Sequence, residues 1–212
     1  MSGEFYQYLQ THAKENPSHP AIIDGESCLT YKELVSSIER FASALSKLKL
    51  TSRSKIGLLC LNQKEYLIAF FAALLKGVPV IPFNFLLKPE DLAYIAQDAG
   101  IDTLVVDSAF VKPETTPFFK FFANIILIGP ADLEQVGTLP WDEFMDMGTP
   151  GDPLERHERE GNIPDVILYT SGTTAKPKGV MLDENQFDAN GSGFLQHLHF
   201  TPEDKVILAL PL

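Results

Sequence analysis

The sequence predicts an α/β fold, a largely parallel sheet flanked by helices, on three observations. Short apolar runs alternate with helix-patterned stretches along the chain. The runs are continuous rather than alternating with polar residues, as strands covered on both faces require. Helix stop signals stand between them, at Lys76-Gly77 and at Gly100.

Phe5 to Lys14 reads as a short helix halted by Asn16-Pro17, and Ala21-Ile22-Ile23 as a strand turned by Asp24-Gly25. Thr30 with Glu33 three residues on forms the pattern of a capping box. The helix it opens, 31–48, places Leu34, Ile38, Phe41, Leu45 and Leu48 on one face. The apolar run 55–61 is a strand, 64–75 a helix, 78–82 a strand, and 89–99 a helix beginning with Pro. Strands follow at 103–106 and 125–128, and all four are expected in one sheet with helices 31–48 and 64–75 on its faces. The Phe-rich stretch 108–122 is read as core packing. The polar stretch 147–164, broken by Gly and Pro, is a surface loop or joint. It divides the chain into an α/β subdomain, 1–150, and a segment 151–212 that begins a second subdomain.

Apolar residues make up 45% of the chain and charged residues 21%, the balance of a globular protein. A formal charge of −11 with no basic patch excludes a nucleic-acid binder. No apolar stretch approaches the ~20 residues of a membrane span, and the N-terminus shows no signal-peptide pattern, so a cytoplasmic location is expected. Cys28 and Cys60, both beside apolar residues and without metal spacing, read as small buried thiols. Asp24 and the acids of 152–160 read as turn and surface charge, and His12, His19 and His157 as solvated. His197 and His199 fall at a helix end and are not read as a metal site.

The chemistry is concentrated after the polar stretch. A strand, Asp165 to Tyr169, runs into Thr170-Ser171-Gly172-Thr173-Thr174-Ala175-Lys176-Pro177-Lys178-Gly179-Val180. Hydroxyls, lysines and glycines in this density suit a polyphosphate: small residues admit close backbone approach, and successive N–H groups can form an anion nest. Counted from Gly172 the pattern is GxxxxPKG rather than GxxxxGK[ST]. Pro177 stands for the second Gly and Gly179 for the magnesium-binding hydroxyl. Val180-Met181-Leu182 then reads as a strand, not the helix start that a P-loop needs.

From Tyr169 to Val180 the segment resembles the YTSGTTGxPKGV signature of adenylate-forming, acyl-activating enzymes, with Ala175 where Gly is usual. Leu29-Thr30-Tyr31-Lys32-Glu33-Leu34 and Leu75-Lys76-Gly77-Val78-Pro79-Val80-Ile81-Pro82 resemble two earlier family motifs, and Leu210-Pro211-Leu212 the start of a later one. The resemblance implies the N-terminal portion of the large domain of an ATP-dependent, AMP-forming acid–CoA ligase. Such an enzyme joins a carboxylate to the α-phosphorus of ATP, releases pyrophosphate, and passes the acyl group to a thiol. It further implies that Thr170, Ser171, Gly172, Thr173, Thr174, Lys176, Lys178 and Gly179 hold the nucleotide phosphates and that Thr174 meets magnesium. ATP, Mg2+ and coenzyme A are the implied cofactors, and a small carboxylic acid, fatty acids included, the implied substrate.

Motifs for adenine, for a magnesium-binding Glu and for a catalytic Lys would lie beyond residue 212, so no catalytic residue is assigned. The 212 residues are expected to be inactive alone and, through the apolar stretch 206–210 read as an unpaired strand, to self-associate. The alternatives are a peptide-synthetase adenylation domain, an acyl-AMP ligase, or a non-catalytic binding or assembly module that retains the fold. Ala175 takes a left-handed backbone less readily than Gly, and Asp183 stands where many members carry His.

Overall fold

In the computed structural model, residues 4–131, 137–152, 164–170 and 176–209 are described. Helix α1 (Glu4–Glu15) leads into strands β1 (Pro20–Asp24) and β2 (Ser27–Thr30), an antiparallel hairpin turned at Gly25 with φ 58°. The sequence reading missed β2, four residues with two hydroxyls and no apolar run. Asp24 is more than turn charge: its carboxylate accepts from the Lys64 N–H at 3.1 Å, occupying an orphan donor at the start of a later helix. Helix α2 (Tyr31–Leu45) opens with the expected capping box. The Glu33 N–H donates to Thr30 Oγ1 at 3.3 Å, and the Thr30 N–H donates back to the Glu33 carboxylate at 2.9 Å. These bonds favour the charged carboxylate and hold Glu33 below its usual range.

Strands β3 (Ile56–Leu59), β4 (Val80–Pro82), β5 (Thr103–Asp107), β6 (Asn124–Ile128), β7 (Thr138–Pro140), β8 (Val166–Thr170) and β9 (Lys178–Leu182) form one sheet. Its order is β7-β6-β5-β3-β4-β8-β9, parallel throughout except for the β8–β9 pair. The four expected strands are therefore neighbours in one sheet, and β8 joins it by pairing with β4. Helix α3 (Lys64–Lys76) connects β3 to β4, and α4 (Pro89–Ala99) connects β4 back past β3 to β5. The reversal of direction sends the two crossovers to opposite faces, as right-handed connections demand. Both helices end on left-handed glycines, Gly77 and Gly100.

Side chains alternate between the faces. Ile56, Leu58, Val80, Val105, Ile126 and Val166 pack beneath α2, α3 and α6 (Trp141–Met147). Leu59, Ile81, Leu104, Val106, Ile125 and Ile167 pack with α4 and the short helix α5 (Thr116–Phe119). Helices 31–48 and 64–75 thus share one face rather than taking one each. Phe118, Phe119 and Phe122 are buried in the second cluster, as expected of that stretch. Gly57 stands where a Cβ would meet the Phe83 ring at 2.6 Å, so its lack of a side chain admits that ring.

The chain after α6 closes onto α2. A Cβ on Gly148 would come within 1.8 Å of the Arg40 carbonyl oxygen. Just beyond, the Ser43 hydroxyl accepts from the Thr149 N–H at 3.2 Å and donates to Asp152 at 2.8 Å, so Asp152 is not simply surface charge. The remaining acids of 153–160, and His157, lie outside the described residues.

His12 and His19 are exposed, as expected of solvated side chains, and each also stacks on Tyr31, at 4.9 and 6.2 Å. Two readings need correction. Cys60 is buried, but Cys28 is exposed, on the β1–β2 hairpin and part of neither cluster. The strand expected at 206–210 does not form. Residues 206–209 carry no ladder, Val206 and Ile207 are 65% and 88% exposed, and Leu210 lies outside the described residues. Apolarity makes a strand only where a neighbouring strand offers a ladder; here the Asn62 amide donates to the Leu208 carbonyl instead.

Candidate functional site

Helix α7 (Glu184–Leu198) follows β9, and its first turn is held from two directions. The Asp183 side chain accepts from the Gln186 N–H, and Asp165 accepts from the Glu184 N–H at 2.9 Å. This fixes the base of the β8–β9 hairpin, since Asp165 immediately precedes β8. The hairpin register pairs Tyr169 with Gly179 and Thr170 with Lys178. The Thr170 hydroxyl also donates to the Lys178 carbonyl at 3.5 Å. Thr170 and Lys178 are thus the last facing pair before the connecting segment of the signature. Because β8 runs parallel to β4, this end of the hairpin lies at the carboxyl edge of the sheet, where open α/β sheets bind ligands.

Among the assigned phosphate residues, the ladder thereby brings Thr170, Lys178 and Gly179 together, with Lys176 two residues before β9. Ser171, Gly172, Thr173 and Thr174 lie outside the described residues, as does Ala175. Lys176 and Lys178 are exposed, and among the described residues no carboxylate lies within ion-pair distance of either. Gly179 has a steric role the motif alone does not suggest. A Cβ there would meet Ile167 at 2.8 Å and the Tyr169 ring at 3.2 Å, so the bare backbone lets the ring lie across β9.

Sequence reasoning missed the groups that meet this hairpin from α4. The Tyr169 hydroxyl donates to Asp98 Oδ2 at 2.6 Å, and the Tyr94 hydroxyl donates to Asp98 Oδ1 at 3.3 Å. The Lys176 ammonium lies 4.7 Å from the centre of the Tyr94 ring, a cation–π contact. Burial first, then the hydrogen bond to Asp98 and its charge, pushes the Tyr169 phenol well up, so it remains a donor. The available signal was local: Tyr94 and Asp98 are four apart, hence on one face of α4. The partner strand, 71 residues away in sequence, was not visible.

His197 lies in the last turn of α7, where its ring nitrogen meets the Gly193 carbonyl at 2.8 Å, and His199 is the left-handed residue that ends the helix. No group of three or more His, Cys, Asp or Glu side chains suited to a metal occurs among the described residues. No described helix is long and apolar enough to cross a membrane.

The fold is thus a largely parallel sheet with helices on both faces and the β8–β9 hairpin at its carboxyl edge. The chain belongs to the AMP-binding enzyme family, whose model matches residues 9–212. It is 29% identical to indoleacetate–CoA ligase of Aromatoleum aromaticum over 99% of this chain and 40% of that protein. It is 28% identical to bacitracin synthase 2 of Bacillus licheniformis over 94% of this chain and 7% of that protein. Among solved structures, O-succinylbenzoate coenzyme A synthetase of Bacillus subtilis, in complex with ATP and magnesium ion, superposes with a TM-score of 0.75 at 25% identity. That likeness covers 96% of this chain and 39% of the other. The chain therefore spans less than half the length of these relatives.

Proposed function

We propose that this chain supplies the phosphate-binding part of an ATP-dependent acid–CoA ligase. The observation that supports it best is the pairing of Thr170 with Lys178 at the carboxyl edge, with the signature segment joining them. Attack of a carboxylate on the α-phosphorus leaves a pyrophosphate whose charge must be met by donors and cations. Lys178 and Lys176 supply the cations, the Thr170 hydroxyl a donor, and Ser171 to Thr174 the further donors that the resemblance assigns. This donor set of hydroxyls and ammonium groups fits a magnesium-bound triphosphate. Magnesium, with Thr174 as its assigned contact, would neutralise phosphate charge. Coenzyme A enters as the acceptor substrate rather than as a resident cofactor. We further propose a division near residue 150, the phosphate segment opening a second subdomain although its strands β8 and β9 complete the sheet of the first.

The near-equal identity to a CoA ligase and to a peptide synthetase supports adenylation as the shared half-reaction and makes a carrier-bound thiol the second reading. The relatives' further length would carry the remaining machinery, so the 212 residues alone are expected to catalyse neither half, because positioning supplies much of the rate. The test is ATP–pyrophosphate exchange by the full-length protein with a panel of carboxylic acids, followed by acyl transfer to coenzyme A or to a carrier protein. Exchange that depends on one class of acid, with thioester formation on coenzyme A, is expected. Absence of acid-dependent exchange across the panel would overturn the reading, and transfer to the carrier alone would select the second.

A further inference from the structure

We propose that Asp98 of α4 is a positioning residue of the phosphate site, an inference that rests on the phosphate reading above. Through Tyr169 it sets where Thr170 leaves the sheet, and with Tyr94 it builds the surface on which Lys176 rests. An ionised Asp can only accept hydrogen bonds, and two phenols from different elements converge on its two oxygens, at 2.6 and 3.3 Å. The absence of a side chain at Gly179 is what allows the Tyr169 ring to reach across β9 toward α4. Tyr169 adjoins Thr170, so a displaced phenol moves the Thr170 hydroxyl with it.

Two residues before the other strand, the Lys176 ammonium faces the Tyr94 ring at 4.7 Å. Donation of the Tyr94 hydroxyl to a carboxylate enriches the ring in electron density and strengthens its hold on a cation. That hold is weak and non-directional, so an arriving polyphosphate can draw the ammonium away. Pro177 stiffens the link between Lys176 and Lys178, coupling the placement of the two charges. One exposed carboxylate on α4 thereby governs the end of β8 and the approach to β9.

The test uses the isotope-labelled 212-residue chain titrated with magnesium tripolyphosphate, followed through the amide resonances of Thr170, Lys176, Lys178 and Gly179. Wild type is expected to show saturable shifts. Asp98→Ala and Tyr169→Phe should each raise the apparent dissociation constant about tenfold, the effect of losing one hydrogen bond to a charged group. The double variant should be no weaker than Asp98→Ala alone, since that change already removes the bond from Tyr169. Asp98→Asn, which keeps one acceptor oxygen, should recover part of the loss, with melting temperatures close to wild type throughout. Additive losses in the double variant overturn the proposal. So does binding that Lys178→Ala abolishes but Asp98→Ala leaves unchanged. Absence of any saturable shift in wild type overturns the phosphate reading itself, and with it the role given to Asp98.

Discussion

If the proposed activity holds, replacing Lys178 and Thr174 together by alanine in the full-length protein is expected to lower acid-dependent ATP–pyrophosphate exchange by about 100- to 1,000-fold, the scale of removing a preorganised donor to developing charge. The argument starts from placement. Lys178 is the first residue of β9, exposed, and paired through its backbone with Thr170, so its ammonium is held at the mouth of the signature by the ladder rather than by a long flexible loop. Thr174 is assigned by resemblance to the same phosphates. The stability change should be small, about 0.5 kcal/mol, as is usual for substitution of exposed polar side chains such as Lys178. Exchange rates with and without acid, read beside a urea titration of the same protein, separate the two effects. Unchanged exchange in the double variant would mean that the hairpin does not meet the phosphates.

The largest effect on folding is expected at Phe41. Its side chain is fully buried, with ring centres 4.8 Å from Phe144 and 5.3 Å from Trp141, so it joins α2 to α6. Phe41→Ala removes this contact and leaves a void between two helices that cannot readily close. Gly148 already brings the chain after α6 against the backbone of α2. The expected loss is about 3–5 kcal/mol, a large part of the ~5–15 kcal/mol that a domain has in total. Leu86→Ala, at a side chain 74% exposed, should move the urea midpoint little and serves as the control. Equal midpoints for the two variants would contradict the packing described here.

Where the sequence was legible, one local rule decided the outcome. The capping box of Thr30 and Glu33, the stop signals at Gly77 and Gly100, and the continuous apolar runs of β3 to β6 each depend on neighbours a few residues away. The signature was legible for the same reason, being one contiguous string. What escaped depended on distance. Strand β2 exists because β1 offers it a ladder, and 206–209 lacks a ladder although it is as apolar as β3. Asp24 and Asp152 read only as turn and surface charge, and Asp98 is not singled out at all. Their separate tasks, closing α3, holding Tyr169 and meeting Ser43, appear only when residues 40, 71 and 109 positions apart are brought together.

The unequal fates of the two cysteines turn the chain into its own reporter of opening. Cys28 lies on the outer hairpin, open to solvent, whereas Cys60 follows β3 with only 4% of its surface exposed. Burial first, and then the charge of Asp107, pushes the Cys60 thiol well up, so the reactive thiolate is scarce even where a reagent could reach it. An alkylating reagent should therefore add one label quickly at Cys28. The second should follow only at the rate at which α3 and the end of β3 come apart, giving a clock for the sheet's centre that needs no engineered probe. Intact-mass spectra taken along the time course would show a long plateau at one label. Simultaneous arrival of both would mean that the cover over β3 is open in the folded chain.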